Sequence, residues 1–497
     1  MASWIRFLFN PIQGYHPVTT SNYNEQKMKR LIFSILCLSG TMISFADIRL
    51  PSVIGNNMVL QQQSSAKLWG WSAPAEKIYI TTSWNNKTDS VTATRDADWQ
   101  MIIQTPPAGG PYSITFRGNN QIVLDNVLIG EVWVCSGQSN MEMNEGWGLK
   151  DVKAELPSCY NRNIRFFYIP KTTSDYPQDD CKGAWEICDS NTLKNFSAAG
   201  YFFGKKLNKD LNVPVGLINS NWGGTAAEVW TPAEVVDQND SLKAAAAKLT
   251  PAPWWPYKPG VAFNAMISPI THYSIAGAIW YQGESNTGTA STYSSLFTSM
   301  IDAWRKKWDK EFPFYYVQIA PFHYGNKNIG ALLQEAQTKS MQHQNVGMVV
   351  ITDLVDDTSN IHPQDKHDVG YRLANWALAE TYHKEGIVYK SPVFKAMDVQ
   401  KGKAIISFEN PGSGLQSKGG TITELYIAGS DKIFYPAKAK IDHDQLIVWS
   451  KSVPRPVAVR YAFGNTAIGN LLSKDGLPVT AFRTDSWDVD TTEIAKK

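Results

Sequence analysis

Residues 127–140 read VLIGEVWVCSGQSN, an apolar run that ends abruptly in small and polar residues. Further apolar runs follow along the chain and alternate with longer stretches of helical pattern. These runs are VPVGLIN (213–219), IAGAIWYQ (275–282), FPFYYVQIA (312–320) and VGMVVIT (346–352). Strands that alternate with helices in this way form a parallel sheet with helices on both faces. The pattern therefore predicts an α/β domain over residues 127–386.

Small and polar residues stand near the ends of these runs, where a parallel sheet gathers its ligand-binding groups. Ser139 follows the first run, and Gly223 and Gly224 follow the second. Gln282 ends the third run, and His362 lies beyond the last. A serine hydroxyl needs a base to become a nucleophile, and the oxyanion formed by its attack needs preorganised donors. We therefore predict Ser139 as nucleophile, His362 as base, and an oxyanion hole built from Ser139 N–H, the Gly223-Gly224 turn and the Gln282 amide.

Four ordered blocks in this region resemble those of the SGNH-type carbohydrate esterases, and within that group they are most similar to the sialate O-acetylesterases. The blocks are GQSNM (137–141), NWGGT (221–225), WYQGESN (280–286) and IHPQDKHDVGYRLA (361–374). The resemblance implies a flavodoxin-like three-layer α/β/α domain, flanked here by N- and C-terminal β-rich regions. It also implies removal of acetyl groups from sugar hydroxyls by a Ser-His mechanism, without a metal or other cofactor.

By position, Ser139 matches the family's nucleophile and His362 its base. Gly223 or Gly224 matches the oxyanion glycine of the second block, and Gln282 matches the amide donor of the third. The serine does not stand in a G-x-S-x-G motif, because position 141 is Met.

One position departs from the family pattern. Many SGNH enzymes place an Asp three residues before the catalytic His, but here that residue is Ser359. The second ring nitrogen of His362 still needs an acceptor to set its tautomer. We favour a main-chain carbonyl near Ser359, and the side-chain alternatives are Asp356, Asp357 and Glu284. Glu284 and Asn286 either bind sugar hydroxyls or brace their loop.

The flanking regions consist of short β-rich runs separated by Gly, Pro and Asn turns. Such spacing predicts a β-sandwich-like domain over residues 47–126 and a β-rich domain over residues 387–497. The chain contains 18 Trp, which we attribute mainly to packing. Several Trp lie in or near the loops expected around the site, and we expect one or two of them to contact sugar. These are Trp147, Trp222, Trp230, Trp254 and Trp255.

The charge balance excludes one class of partner. With 47 Lys and Arg against 45 Asp and Glu, the net charge is +2, and no broad basic field favours nucleic acid. The predicted partner is an O-acetylated sugar or glycan. A protein specific for sialic acid should offer a cation to the sugar carboxylate, and Arg305 and Arg372 are candidates that the sequence cannot place.

Residues 1–46 have the pattern of a targeting segment. A basic stretch at 28–30 precedes an apolar run at 31–43 and a small-x-small site at 44–46, which is the order of a secretory signal peptide. We interpret 28–46 as the signal and 1–27 as an upstream extension. This predicts a secreted or periplasmic protein with no stable membrane insertion after cleavage. An oxidising compartment would permit a bridge between Cys181 and Cys188.

The sequence thus favours a secreted carbohydrate O-acetylesterase, most specifically one acting on O-acetylated sialic acid. Two alternatives stay open at this point. The first is an acetylxylan or general acetylated-glycan esterase, whose sequence blocks would look alike. The second is a non-catalytic glycan-binding protein, which the two β-rich regions and the many Trp would also suit.

Overall fold

The computed structural model describes residues 47–325, 328–489 and 493–494. The predicted signal peptide and upstream extension lie outside these residues. None of the described helices combines the length and apolar composition that a bilayer span requires.

The first part of the chain is a series of short strands. They are β1 (Val59–Gln61), β2 (Ser65–Trp71), β3 (Lys77–Thr82), β4 (Lys87–Thr92), β5 (Asp98–Gln104) and β6 (Gly109–Arg117). Strands β2 and β5 pair antiparallel as a separate two-stranded sheet. Strand β3 pairs antiparallel with β4 and β6, and this group joins the central sheet of the molecule.

Seven further strands form the main path of the central sheet. They are β7 (Gln121–Gly137), β8 (Asn161–Tyr168), β9 (Trp185–Cys188), β10 (Val215–Asn221), β11 (Gly277–Tyr281), β12 (Phe314–Val317) and β13 (Val346–Val349). Their order is β13-β12-β11-β7-β10-β8-β9. All neighbours on this path are parallel except the edge strand β9, which runs antiparallel to β8. The parallel α/β prediction is confirmed.

Strand β7 runs without interruption through the predicted domain boundary between residues 126 and 127. Its first half pairs antiparallel with β6, and its second half pairs parallel with β10 and β11. The N-terminal strands and the α/β core therefore share one sheet. The chain leaves β7 for β8 and β10 on one side, and then crosses to β11, β12 and β13 on the other. A reversal of this kind opens a crevice at the carboxyl end of the central strand.

Helices cover both faces of the sheet. They are α1 (Ser139–Glu142), α2 (Lys150–Glu155), α3 (Ser190–Leu193), α4 (Ala198–Leu211), α5 (Ala233–Asp237), α6 (Asp240–Ala246), α7 (Ala290–Trp308), α8 (Ile329–Ser340) and α9 (Lys366–Trp376). Short 3-10 and π turns lie between them at Glu145–Trp147, Leu156–Ser158, Ala227–Trp230, Phe263–Ile267, Ser268–Ile270, Glu284–Thr289, Thr352–Leu354 and Ala377–Thr381.

The two faces of the sheet belong to two separate apolar cores, because successive side chains of a strand point to opposite faces. On β7, Val132 and Val134 lie in one core, whereas Trp133 and Cys135 lie in the other. Residues of α7 and α8 complete the first core, and residues of α4 and α9 complete the second. This gives the three-layer α/β/α arrangement that the family resemblance implied.

The C-terminal part is β-rich, as expected. Its strands are β14 (Val393–Gln400), β15 (Lys403–Glu409), β16 (Leu415–Ser417), β17 (Leu425–Ala428), β18 (Ile433–Pro436), β19 (Lys438–Asp442), β20 (Gln445–Trp449), β21 (Ala458–Tyr461), β22 (Leu471–Ser473), β23 (Phe482–Arg483) and β24 (Glu493–Ile494). They form a four-stranded sheet (β14-β15-β20-β19), a five-stranded sheet (β23-β21-β17-β18-β24) and the pair β16-β22.

The four described cysteines are buried free thiols, so the structure does not contain the bridge between Cys181 and Cys188 that the sequence permitted. Cys181 packs in the core on one side of the sheet. Cys188 packs in the core on the other side, together with Cys159. The thiol of Cys188 lies 3.2 Å from the carbonyl oxygen of Cys159.

Candidate active site

The candidate site lies where β7 ends beside β11. Gly137 has a φ of 137°, and a Cβ at this position would overlap the carbonyl group of Tyr281 on β11. Only glycine allows this close approach of the two strands. The backbone N–H of Gln138 then donates to the Tyr281 carbonyl at 3.0 Å, and the chain turns into α1, whose first residue is Ser139. The turn therefore presents the serine at the crevice predicted from the strand order.

The structure brings Ser139 and His362 into direct contact. The Nε2 atom of His362 lies 2.9 Å from the Oγ atom of Ser139. The His362 ring packs edge-on against Trp147, with 5.2 Å between ring centroids, and its backbone N–H donates to Asn360 Oδ1 at 3.0 Å. A neutral imidazole in this position can accept the serine proton.

The electrostatic surroundings favour the neutral form of His362. Partial burial lowers the pKa of His362, and the nearby ammonium group of Lys366 lowers it further. Both effects act against the charged imidazolium. The ring is therefore ready to act as a base at neutral pH.

The predicted oxyanion glycine, Gly223, lies beside Ser139 but is already engaged. A Cβ at Gly223 would stand 3.4 Å from the Cβ atom of Ser139. The Gly223 N–H donates to Oε2 of Glu142 at 2.5 Å, while Oε1 of Glu142 accepts from Lys171 Nζ at 2.5 Å. An anionic oxygen thus occupies the donor that we predicted for the oxyanion. The carboxylate must move away before this N–H can serve a substrate.

Glu142 and Lys171 were missed by the sequence analysis. Glu142 stands three residues after Ser139 in the same helical turn, so the two side chains share a face of α1. That spacing was the available signal. Lys171 follows β8 in a distant part of the chain, and the sequence contains nothing that places it near the serine.

The Gln282 amide, predicted as an oxyanion donor, is hydrogen-bonded within the protein. Its side chain is fully buried, and Nε2 donates to Asn286 Oδ1 at 2.7 Å and to the Thr225 carbonyl at 3.3 Å. Its Oε1 accepts from the Tyr293 hydroxyl at 2.9 Å. Because both acceptors of the amide nitrogen lie within the protein, this geometry supports a bracing role and leaves oxyanion stabilisation to backbone N–H groups. Among the described residues, the N–H groups of Ser139 and Gly224 have no acceptor.

Asn286 braces its loop in the same way. It is fully buried, accepts from the Ala227 N–H at 2.9 Å and donates to Glu228 Oε2 at 2.8 Å. Of the two readings that the sequence allowed, the geometry favours bracing over sugar binding.

None of the predicted partners for the second ring nitrogen of His362 contacts it. Asp357 accepts from the N–H and the hydroxyl of Ser359 at 2.8 and 2.7 Å. Asp356 is exposed, and Glu284 is buried against Asn140. Within the described part of the chain, neither these carboxylates nor a carbonyl near Ser359 has a hydrogen bond to His362. The ring orientation instead rests on Trp147 and on the backbone of the His362 loop.

Aromatic rings border the site on two sides. Trp147, which packs on His362, is 43% exposed, and Trp254 and Trp255 are 72% and 36% exposed. Trp255 lies directly over Gly224, where φ is 82° and a side chain would collide with the indole. Gly224, Trp255 and Tyr257 line a recess of about 190 Å³. Of the other predicted loop Trp, Trp230 is buried in the core and Trp222 is partly buried.

The two arginines considered for a sugar carboxylate are committed elsewhere. Arg305 is 3% exposed and donates to the carbonyl groups of Phe312, Gln344 and Asn345. Arg372 forms a two-pronged ion pair with Asp353 at 2.7 and 2.6 Å. Lys171 lies near the serine turn through its contact with Glu142.

One group of potential metal ligands exists among the described residues. It comprises Asp365, His367 and Asp368. Asp365 accepts from the Asp368 N–H at 2.9 Å and so caps α9, and His367 Nδ1 lies 2.7 Å from Asp368 Oδ1. These contacts explain the three side chains as part of the N-terminal cap of α9. They do not include Ser139 or His362.

Comparison with known proteins covers the same region. The model of a carbohydrate esterase family, described as sialic acid-specific acetylesterases, matches residues 129–379. The sialate O-acetylesterase of Mus musculus is 28% identical over 422 residues, which cover 72% of this chain and 78% of that protein. The sialate O-acetylesterase of Homo sapiens is 28% identical over 403 residues, with 72% and 76% covered.

A solved structure is also similar. The crystal structure of a carbohydrate acetylesterase from Xanthomonas citri superposes with a TM-score of 0.81 at 36% identity, and the match covers 89% of this chain and all of that one. The region matched by the family model includes Ser139, Gly223, Gln282 and His362.

Proposed function

The chain belongs to the sialic acid-specific acetylesterase family of carbohydrate esterases, and from this premise we propose that it deacetylates O-acetylated sialic acid through Ser139 and His362. As a member of the family it is a carboxylic ester hydrolase acting on acetylated carbohydrate. The non-catalytic alternative is therefore not retained. The observation that carries the catalytic assignment is the 2.9 Å contact between His362 Nε2 and Ser139 Oγ at the carboxyl end of β7.

In the proposed acylation step, the Ser139 oxygen attacks the acetyl carbonyl carbon while His362 Nε2 takes the hydroxyl proton. The carbonyl electrons move onto oxygen, and the resulting oxyanion is held by backbone N–H groups beside Ser139. As the anion collapses, the bond from carbon to the sugar oxygen breaks, and His362 returns its proton to that oxygen. The products are the free sugar hydroxyl and an acetyl group on Ser139.

In the deacylation step, His362 Nε2 removes a proton from water as the water oxygen attacks the acetyl carbon. The second tetrahedral anion collapses, the bond to Ser139 Oγ breaks, and His362 reprotonates the serine. Acetate leaves. The neutral state of His362, favoured by burial and by Lys366, is required at the start of both steps.

The choice of sialic acid rests on the family description and on the Lys171 cation, which contacts the helical turn of the serine. Lys171 contacts Glu142, whose other oxygen lies on Gly223 beside Ser139. Lys171 also lines a cleft of about 510 Å³ together with Thr173, Gln178, Asp180 and Lys182. Hydroxyl, amide and charged groups of this kind suit a hydroxyl-rich sugar.

A general acetylated-glycan esterase, including one for acetylxylan, is the second candidate. It is favoured by the pairing of Lys171 with Glu142, which neutralises the cation, and by the commitment of Arg305 and Arg372 to other partners. The similar enzyme from Xanthomonas citri is likewise described in broad terms, as a carbohydrate acetylesterase. The two candidates share the same catalytic chemistry and differ only in the sugar.

We further propose that the protein is secreted or periplasmic, with cleavage after residue 46. The basic, apolar and small-residue order of residues 28–46 supports this assignment. N-terminal sequencing of protein recovered outside the cytoplasm is the direct test. A mature chain that retains residues before 47 would contradict it.

The deciding experiment measures acetate release from O-acetylated sialic acid and from acetylated xylan in parallel. We expect faster release from the sialic acid at matched ester concentration. Ser139→Ala should remove turnover of both, while Ser295→Ala, at an exposed serine of α7, serves as the matched control. Preference for xylan would select the second candidate. Retained turnover in Ser139→Ala would overturn the catalytic assignment itself.

A further inference from the structure

A buried charged cluster lies directly beneath the reactive serine. Lys366, the first residue of α9, is fully buried, and its Nζ donates to Asn140 Oδ1 at 2.7 Å. The ammonium group also stands 5.0 Å from the centre of the Tyr281 ring. On the other side of Asn140, Nδ2 donates to Oε1 of Glu284 at 2.7 Å. A lysine and a glutamate are thus joined inside the protein by one amide.

This cluster connects the two halves of the catalytic pair. Asn140 directly follows Ser139, and its Nδ2 also donates to the carbonyl of Ile361, the residue before His362, at 3.1 Å. Lys366 follows His362 by four residues, at the point where the loop ends and α9 begins. The Asn140 side chain therefore holds the serine turn against the histidine loop, and Lys366 fixes the Asn140 side chain by occupying its oxygen.

The burial of these ionisable groups needs a reason, since removing a charged group from water is costly. Burial raises the pKa of Glu284 and so favours its neutral form. Glu284 Oε2 has no hydrogen-bond partner among the described residues, which adds to the cost. Groups of this kind are retained where their geometry or charge serves a site.

The charges around Lys366 come from two elements besides its own. Glu284 follows β11, and Asp151 of α2 accepts from the backbone N–H groups of Lys366 and His367 at 3.0 Å each. Asp365 precedes Lys366 on its own helix start. These carboxylates favour the ammonium form, whereas burial lowers the pKa of Lys366 to about 7. Below pH 7, where His362 titrates, the lysine is predominantly charged.

We propose that Lys366 is a positioning residue of the active site, which aligns His362 with Ser139 through Asn140 and opposes protonation of His362 by its charge. This role rests on the proposed function, because it is defined by the catalytic pair. This role predicts that removing the charge shifts the acid limb of the pH profile. If Lys366 were purely structural, its removal would leave the position of the acid limb unchanged.

The test is the pH dependence of kcat and kcat/KM for a chromogenic acetate ester in Lys366→Met. Without the neighbouring cation the pKa of His362 rises, so the acid limb should move to higher pH by roughly half a unit or more. At the pH optimum, kcat should fall about tenfold to a hundredfold with a much smaller change in KM, since misalignment of reacting groups acts mainly on turnover.

Lys206→Met is the matched control. Lys206 forms an ion pair with Asp210 at 2.8 Å and stands 5.3 Å from the Tyr371 ring centre, but it lies on α4 outside the site. Its pH profile should match that of the wild type. If Lys366→Met fails to fold, the test uses the double variant Lys366→Met/Glu284→Gln. This variant removes both buried ionisable groups together and should show the same shift of the acid limb.

The outcomes are separable from those for the proposed function. Loss of turnover in Ser139→Ala tests the catalytic serine without reference to Lys366. If that loss is seen and the folded Lys366 variant has a wild-type acid limb and kcat within twofold of wild type, the positioning role is overturned while the esterase assignment stands.

Discussion

The Nε2 atom of His362 lies 2.9 Å from Oγ of Ser139, although 223 positions separate the two residues in the chain. The contact forms because the end of β7 and the loop before α9 meet at the point where the strand order reverses. The side chains that surround this pair, rather than the pair alone, determine how each of the following variants should behave.

Esterase activity should fall on the acid side of a midpoint that lies below the ordinary histidine pKa of about 6.5. Burial and the charge of Lys366 lower the pKa of His362 in the folded protein, so the neutral base persists to lower pH and is lost only as pH falls through the lowered value. A profile of kcat/KM against pH from 4 to 9 measures this. An acid limb centred above pH 7 would contradict the assignment of His362 as an unpaired base.

Gly223→Ala should reduce kcat by about a hundredfold with little change in melting temperature. The new methyl group would stand 2.9 Å from Glu142 Oε2 and 3.4 Å from Ser139 Cβ. It would therefore shift the backbone N–H that serves the oxyanion once Glu142 has moved away. Gly288→Ala is the control, since a Cβ there meets no atom within 4 Å. Equal activity in the two variants would show that the Gly223 N–H does not serve the reaction.

Arg372→Met should lower the free energy of unfolding by about 2 kcal/mol, because it leaves the carboxylate of Asp353 without its two-pronged partner in a mostly buried position. The side chains of this pair are only 15% and 21% exposed. Lys87→Met breaks a surface pair whose side chains are 65% and 40% exposed, and it should change stability by less than about 0.5 kcal/mol. Urea titrations of both variants give the comparison, and a similar loss in each would refute the distinction.

Oxidation should join Cys159 to Cys188 and leave Cys181 as a free thiol. Cys188 Sγ lies 3.2 Å from the Cys159 carbonyl in a shared core, whereas Cys181 packs on the other face of the sheet. The check is peptide mapping, without reduction, of folded protein incubated with oxidised glutathione. A peptide linking residues 181 and 188 would be the contrary result.

The sequence predicted the fold class because apolar runs and helical periodicity are local properties. The runs beginning at 127, 213, 275, 312 and 346 each overlap a strand of the central sheet, and the residues near or beyond their ends include Ser139 and His362. The predicted domain boundary between residues 126 and 127 falls inside β7. A strand that continues from one part of a sheet into another carries no local sequence signal at the point of change.

The environment of the catalytic pair needed the tertiary structure. The Gln282 amide was expected to face the oxyanion, and Asn286 either to bind sugar or to brace its loop. Both side chains hydrogen-bond inward, since the direction of an amide depends on the partners that packing supplies. The carboxylate of Glu142 on Gly223 depends likewise on distant contacts.

By itself, then, the sequence determined the parallel α/β architecture, through its pattern of apolar runs, and pointed to the two residues of the proposed dyad. The esterase family followed from the resemblance of four sequence blocks to those of known esterases. Only the tertiary structure decided which donors near Ser139 are occupied, which cation lies close to it, and that Lys366 is buried between Asn140 and Tyr281. Burial, charge pairing and hydrogen-bond direction arise from contacts between residues far apart in sequence, and no local pattern encodes them.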